Sequence, residues 1–302
     1  MPTDIDWFSL DGQTPVIVQG ITGRMGQKHA QLMERYGTRI VGGTGRVRPE
    51  APSAFPVFAS CEEAVRATGA RASICLVPAS DTLAAVAEAS AAGIGLIVTV
   101  AEGIPVHDAL RIRALTRAAH VRWLGASTPG LCLPGRIKLG FLPDVALAAG
   151  RIGVISKSGT LSYEVGLRLI GHGLGQSAWI GVGGDPVKGT RFADLAAAFA
   201  AHEGTDALVL IGEIGGDEEE EFAEAWQRLG KPKPAFALIA GAEARQGVTM
   251  GHAGALVIGQ RGSLASKRRQ LESAGVRVLP TIGGLVDAVL AASRTTAEGQ
   301  MP

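Results

Sequence analysis

Neither sign of charge dominates this chain. Lys and Arg number 29 and Asp and Glu 28, a net charge of +1 over 302 residues, which gives no electrostatic basis for binding nucleic acid or an anionic membrane. Cysteine is scarce. Cys61, Cys75 and Cys132 are the full set, odd in number and without metal-ligand spacing, so a disulfide scaffold is excluded, no metal site is expected, and a reducing cytosol fits. Cys75 lies in an apolar run and is expected in a core. No apolar run is long enough to span a bilayer. Met1 to Ser9 is acidic rather than basic and lacks an apolar signal core. The expectation is a soluble, cytoplasmic protein.

Hydrophobic residues make up 46% and charged residues 19%, a balance that favours large buried cores over disorder. The length is enough for two ordinary domains. Glycine is abundant at 42 residues but has no collagen-like period. The glycines sit at the ends of apolar runs, where turns and phosphate-binding loops need them.

Pro15 to Gln19 is a short run of strand type. Gly20-Ile21-Thr22-Gly23-Arg24-Met25-Gly26 follows, then a helical stretch to about Tyr36. The pattern G-x-x-G-x-x-G is close to the dinucleotide fingerprint G-x-G-x-x-G but differs in spacing. The physical logic is shared: glycine permits a tight turn, and N–H groups at the helix start face a phosphate. After the second strand, Arg39 to Gly43, an NAD site would place Asp or Glu for the ribose. This chain has Gly42, Gly43 and Thr44, then Arg46 and Arg48. That favours a ligand with an extra phosphate, NADP or coenzyme A; the alternative is that both arginines are solvated loop residues. Strands at Phe55 to Phe58, Ala72 to Pro78, Ile94 to Val100 and Val121 to Leu124 alternate with helices at Cys61 to Thr68, Asp81 to Ala92 (capped by Asp81) and Asp108 to Ala119. This alternation predicts a parallel, doubly wound sheet with its ligand at the strand carboxyl ends.

Gly125 to Leu147 is rich in Gly and Pro and reads as a connection between domains. A second alternation follows. Strands are expected at Arg151 to Ser156, Ala178 to Val182, Leu208 to Ile211, Ala235 to Ala240, Ala255 to Ile258 and Val276 to Leu279. Helices are expected at Thr160 to Gly171, Phe192 to His202, Glu218 to Leu229, Leu264 to Ala274 and Gly283 to Ala292, with a frayed tail from Ser293. Lys267-Arg268-Arg269 reads as a solvated helix face. The pattern is of flavodoxin-like type. Three stretches carry chemistry. Ile155 to Leu161 is a strand running into a helix start; Leu208 to Gly216 is a strand ending in Glu213; Met250-Gly251-His252-Ala253-Gly254-Ala255 sets a histidine among residues too small to crowd it. A lone histidine, a carboxylate that can orient it and an anion-binding helix start point to phosphoryl chemistry.

With Ser158-Gly159-Thr160-Leu161-Ser162-Tyr163-Glu164, Gly181-Val182-Gly183-Gly184-Asp185-Pro186, Ile211-Gly212-Glu213-Ile214-Gly215-Gly216 and Met250 to Ala255 in this order, the chain resembles the alpha subunits of succinate–CoA ligase (succinyl-CoA synthetase), from about Val16 to Leu285. The resemblance implies a Rossmann-like CoA-binding domain over 1–130 and a flavodoxin-like CoA-ligase domain over 131–302. It implies that His252 is phosphorylated during turnover, with Glu213 accepting a hydrogen bond from the other ring nitrogen. Ser158, Gly159 and Thr160 would bind the phosphate. Thr22, Gly23, Arg24 and Met25 would hold CoA, with Arg48 where the family has a lysine, and with Val100, Ala101 and Glu102. Tyr163 would bind substrate. The chain has no ATP-grasp domain and no G-x-x-x-x-G-K-[ST] loop. ATP or GTP with Mg²⁺ is therefore expected on an ATP-grasp beta subunit, in an αβ or α₂β₂ assembly.

One segment departs from the family. Where it reads Gly-Pro-Asn-Cys-Pro-Gly, this chain has Gly125-Ala126-Ser127-Thr128-Pro129-Gly130. The segment is near the acyl-transfer site, so Ser127 and Thr128 are candidate substrate-binding residues, and malate or another short dicarboxylate is an expected substrate. Two other readings compete. Gly23-Arg24-Met25-Gly26 also resembles dihydrodipicolinate reductase, which would make the chain an NAD(P)-dependent reductase. It could also be a CoA-binding protein without catalysis. The missing acidic residue and the second half of the chain weigh against the first, and His252 with Glu213 against the second.

Overall fold

The structure is a computed structural model that describes residues 5–46, 53–241 and 261–298. The chain forms two compact units, Met1–Leu142 with Val187–Thr190 and Pro143–Pro186 with Arg191–Pro302.

The first unit runs β1 (Val16–Gln19), α1 (Arg24–Tyr36), β2 (Ile40–Thr44), β3 (Val57–Phe58), α2 (Cys61–Thr68), β4 (Ala72–Cys75), α3 (Thr82–Ala91), β5 (Leu96–Thr99), α4 (Val106–Ala118), β6 (Arg122–Leu124), β7 (Gly130–Leu133) and β8 (Ile137–Gly140). Strands β3-β2-β1-β4-β5-β6 lie in that order, all parallel, which is the Rossmann-like order. Every residue of β1, β4 and β5 is buried, as strands covered by helices on both faces must be. The core gathers Ile17, Val86, Ile97, Ile112 and Trp123 with the thiol of Cys61. α2 starts under Ser60, whose hydroxyl accepts the Glu63 N–H at 3.1 Å, while the Glu63 carboxylate reaches back to the Ala59 N–H at 2.9 Å.

Two expectations fail in this unit. Asp81 stands at the start of α3 but makes no capping bond: a short 3₁₀ turn, Ala79–Asp81, gives it helical dihedrals (φ −99°, ψ −8°) in place of the extended ones of an N-cap. The Gly- and Pro-rich stretch after β6 is not merely a connection. Leu131 and Leu133 pair with Leu139 and Ile137 in an antiparallel hairpin, all four fully or almost fully buried. Thr38 fastens it, donating to the Lys138 carbonyl at 2.6 Å and accepting from its N–H at 3.0 Å.

The second unit runs β9 (Ala149–Ser156), α5 (Gly159–Gly171), β10 (Gln176–Gly181), α6 (Phe192–Ala201), β11 (Ala207–Glu213), α7 (Glu218–Arg228), β12 (Ala235–Ala240), α8 (Leu264–Ser273), β13 (Val276–Leu279) and α9 (Ile282–Glu298). Its parallel strands follow β13-β12-β11-β9-β10. Counted within the unit this is the 2-1-3-4-5 order of flavodoxin-like folds. Glycine shapes the core at one point: a Cβ on Gly153 would lie 2.6 Å from the Phe199 ring, so α6 packs against bare strand there. α9 continues to Glu298 instead of fraying at Ser293. Neither glycine nor proline interrupts it after Gly284, and Ser293 Oγ donates back to the Val289 carbonyl at 3.0 Å. The strand expected at Ala255 to Ile258 lies outside the described residues. Among the described residues no helix is long and apolar enough to cross a membrane.

Candidate functional site

In each unit the strand order reverses at one point, and ligands of open α/β sheets bind beside such a point at the carboxyl ends of the strands. In the first unit it lies between β1 and β4. The chain leaves β1 through Gly20, whose φ of +86° is left-handed. The Gly23 N–H then donates to the Gly20 carbonyl at 3.0 Å. A Cβ on Gly26 would lie 2.1 Å from that same carbonyl oxygen, so the turn closes only because residue 26 has no side chain. α1 begins at Gly23 without a side-chain cap and without an acidic residue in its first turn. Its first N–H groups are left for an anion. Arg24 and Met25 are exposed there, and Thr22 lies against Gly45, where a Cβ would meet the Thr22 hydroxyl at 2.5 Å. This tight, uncapped cradle fits a diphosphate-bearing ligand such as CoA. Arg48 lies outside the described residues.

Val100, Ala101 and Glu102 leave β5 on the same edge of the sheet, with Glu102 exposed. The Ala101 carbonyl accepts the Ser127 N–H at 2.9 Å, which brings two of the expected stretches together. Ser127 has a left-handed φ of +56°. Thr128 is 2% exposed, and its Oγ1 accepts the Gly130 N–H at 2.9 Å. That hydroxyl closes its own turn.

In the second unit the reversal lies between β9 and β11. Ser156 Oγ donates to the Ser158 carbonyl at 2.7 Å and accepts the Ser158 N–H at 3.0 Å, folding the chain sharply off the strand. Ser158 caps α5 by accepting the Leu161 N–H, so its side chain serves the helix. The N–H groups of Gly159 and Thr160 begin the helix above it. One turn later Tyr163 meets Trp179 edge to face, ring centroids 5.4 Å apart. Burial pushes the Tyr163 phenol above its ordinary value, so it stays neutral.

Glu213 ends β11 and is 7% exposed. The Ile214 N–H donates to the Ala240 carbonyl, and the Gly215 N–H to the Gly262 carbonyl. The chain on either side of 242–260 is thus fastened next to Glu213. His252 belongs to that stretch and lies outside the described residues.

Sequence reasoning missed a buried charge cluster beside the end of β11. Glu218, Glu219 and Glu220 open α7 and are 5%, 0% and 3% exposed. Lys157 Nζ lies 3.0 Å from Glu219 and 3.3 Å from Glu218, and Lys267 Nζ pairs with Glu219 and Glu220. Lys267 is fully buried, not solvated; of the basic run only Arg268 and Arg269 face water. The reason is electrostatic: a buried carboxylate needs a buried cation. Burial would push Glu219 up, but Lys157 and Lys267 more than reverse this and hold it at about 2. Burial pulls Lys157 down, and the charges of Glu219, Glu218 and Glu213 drive it above its ordinary value. The one signal in the sequence was four consecutive glutamates just after two glycines. At the rim Arg191 pairs with Asp217 at 2.6 Å and with Glu221 at 3.0 Å.

Comparison with known proteins agrees with this layout. The CoA binding domain family matches residues 11–103 and the CoA-ligase family residues 155–277. The chain is 43% identical over 276 residues to the mitochondrial succinate–CoA ligase [ADP-forming] subunit alpha-2 of Trichomonas vaginalis, covering 89% of this chain and 88% of the relative. It is 44% identical over 282 residues to the corresponding subunit alpha 1 of Archaeoglobus fulgidus, covering 93% and 96%. Among solved structures, ATP citrate lyase from Methanothrix soehngenii in complex with citrate and coenzyme A matches with a TM-score of 0.87 at 19% identity. That match covers 99% of this chain and 52% of the other, so the chain spans about half of that polypeptide, and the likeness concerns the fold. At 43–44% identity across most of its length, and with CoA-binding and CoA-ligase domains in succession, the chain belongs to the alpha subunits of succinate–CoA ligase.

Proposed function

We propose that this chain is the alpha subunit of a nucleoside-diphosphate-forming acyl-CoA synthetase that joins CoA to succinate or a related short dicarboxylate through a phosphohistidine at His252 and an acyl phosphate. One observation carries the reading. Ile211 of β11 lies opposite Ser156 of β9, so the Lys157–Ser158 turn leaves β9 beside Gly212 and Glu213, the last residues of β11. A carboxylate able to orient an imidazole and a helix start able to hold a phosphate therefore lie at neighbouring strand ends, and Ala240 and Gly262, which bracket 242–260, are hydrogen-bonded to the two residues after Glu213. CoA binding is assigned to the domain over 1–130, through Thr22 to Met25, Arg48 and Val100 to Glu102, and the ligase chemistry to 131–302.

One ring nitrogen of His252 attacks the γ-phosphorus of the nucleoside triphosphate, and the diphosphate leaves. Glu213 accepts a hydrogen bond from the other ring nitrogen and stabilises the ring as charge develops. The N–H groups of Gly159 and Thr160 hold the phosphoryl oxygens. An oxygen of the substrate carboxylate then attacks phosphorus, which frees His252 and forms an acyl phosphate. The thiol of CoA, losing its proton, attacks the acyl carbon, and phosphate leaves as the thioester forms. Tyr163, a neutral hydrogen-bonding phenol, and the Ser127 loop are the proposed contacts for the acid.

The nucleotide and Mg²⁺ belong in this reading to an ATP-grasp beta subunit, consistent with relatives that are named as alpha subunits. The cytoplasm is the proposed location. A reductase and a non-catalytic CoA-binding protein are not favoured, because the matching families are a CoA-binding and a CoA-ligase domain.

The test incubates the purified pair of subunits with γ-labelled nucleotide and maps the labelled peptide. Acid-labile, base-stable label on His252, lost in His252→Asn while CoA binding persists, supports the reading. Label on another residue, or wild-type turnover by His252→Asn, rejects it.

A further inference from the structure

We propose that Glu219 is a positioning residue for phosphoryl transfer, the one carboxylate to which the Glu213 strand end, the Lys157–Ser158 turn and helix α8 are all fastened. The inference rests on the reading that His252 is phosphorylated beside Glu213. Glu219 Oε1 accepts the Glu213 N–H at 3.0 Å. Glu219 Oε2 accepts from Lys157 Nζ at 3.1 Å and from Lys267 Nζ. Three chain segments thus meet on one side chain that is fully buried. Each leads to a part of the site. Glu213 is the proposed orienting carboxylate. Lys157 immediately precedes the capping Ser158 of the phosphate-binding helix. Lys267 lies on α8, just beyond Gly262, where the chain returns from the His252 stretch.

The surroundings are shaped around this carboxylate. A Cβ on Gly212 would lie 2.4 Å from Glu219 Oε1, so the strand carries glycine where the carboxylate enters. Glu220, the next residue, holds the returning chain: its Oε1 accepts the Gly262 N–H at 3.0 Å and the Ser266 hydroxyl at 3.1 Å. The ammonium of Lys157, one residue before the capping Ser158, is taken up by the cluster, 3.0 Å from Glu219 and 3.3 Å from Glu218. Burying ions is unfavourable, and well-packed apolar residues often replace them without loss of stability. What an apolar side chain could not supply is an acceptor for the Glu213 N–H that is itself held from two sides. A reacting group misplaced by even an ångström loses much of its rate, so geometry is the function assigned to the cluster.

The experiment compares wild type, Glu219→Gln, Glu219→Asp and, as a stability control, Val289→Ala, each purified with the beta subunit. Readouts are the rate of His252 labelling from γ-labelled nucleotide, kcat, the KM for CoA and the thermal midpoint. Glu219→Gln keeps the volume but turns an amide N–H₂ or a neutral oxygen toward the lysines. Glu219→Asp keeps the charge but falls one methylene short of the Glu213 N–H, and it serves where the Gln variant does not fold. Both are expected to lower the labelling rate and kcat by about 10- to 100-fold with the KM for CoA within twofold. Val289→Ala, a cavity on the buried face of α9 outside the cluster, is expected to lower the thermal midpoint while keeping kcat within about threefold of wild type. Wild-type labelling in both folded Glu219 variants overturns the proposal alone, as does a kcat loss in Val289→Ala equal to theirs, which would mean the cluster acts only through stability. A wild type that carries no label on His252 overturns the underlying reading and the proposal with it.

Discussion

The backbone N–H of Glu213 donates to the side chain of Glu219 at 3.0 Å. The residue proposed to orient the phosphohistidine is therefore held by a carboxylate six positions further on, which is itself held by two buried lysines. Stability and chemistry meet at this bond, and the first prediction separates them by pH. Glu219 is depressed from 4.5 to about 2 in the folded chain. A depressed carboxylate contributes stability that is present above its unfolded value and lost as pH falls through the folded one. Between about pH 5 and pH 2 the second unit should lose on the order of 3 kcal/mol from this group. Urea unfolding at stepped pH checks this, and Glu219→Gln should flatten that part of the curve.

Glu213→Gln should keep a partner for the imidazole N–H but remove its charge. His252 labelling should persist, slowed by about 10- to 100-fold. Single-turnover labelling with the reconstituted pair measures it; an unchanged rate would mean that Glu213 does not face the ring.

Gly26→Ala would place a methyl group 2.1 Å from the Gly20 carbonyl oxygen. The turn must open, at about 1–3 kcal/mol of folding free energy, and the CoA cradle opens with it. The expected result is a lowered thermal midpoint and at least a tenfold weaker CoA affinity by calorimetry, roughly 1.4 kcal/mol. His252 labelling, in the other unit, should be retained.

Ser127→Asn tests the substrate. Ser127 adopts a φ of +56°, a region that Asn tolerates better than most residues, so the variant should be no less stable than wild type. It restores the amide the family carries here. Kinetics over succinate, malate, itaconate and citrate should show wild type accepting an acid other than succinate and Ser127→Asn shifting toward succinate. A wild-type preference for succinate over the whole panel would reject this.

All three cysteines are buried and none is in a disulfide. Burial pushes Cys61, with help from Glu88, and Cys75 up to about 12, so neither is a thiolate at neutral pH. Iodoacetamide at pH 8 should leave both unmodified in the native protein and modify them once urea unfolds it, as mass spectrometry would show. An enzyme that makes a thioester thus brings to its site no reactive thiol of its own from these positions.

Both sheets were legible because apolar runs of strand length alternate with helical runs. Cys61–Thr68, Ala235–Ala240 and Val276–Leu279 match their expected bounds to the residue. The β7–β8 hairpin was hidden because Pro134, Gly135 and their neighbours break the local pattern, while the alternation Leu131, Leu133, Ile137, Leu139 is too short to outweigh them. Glu218 to Glu220 and Lys267 were hidden for another reason. A run of charge reads as solvated unless its counter-charge is visible, and Lys267 is 48 residues from Glu219. At Thr128, a proposed substrate contact, Oγ1 also accepts the Gly130 N–H, a turn bond with no signal in the sequence pattern.

Ile214 and Gly215 are consecutive, and their N–H groups bind the carbonyls of Ala240 and Gly262 respectively. The described chain on the two sides of 242–260 thus meets across one peptide, and loop length changes closure entropy only slowly. A chain in which a short Gly-Ser bridge replaces 242–260 should therefore still fold its second unit and bind CoA while accepting no phosphate. That outcome would make the proposed nucleophile a replaceable segment, separable from the scaffold on either side of it.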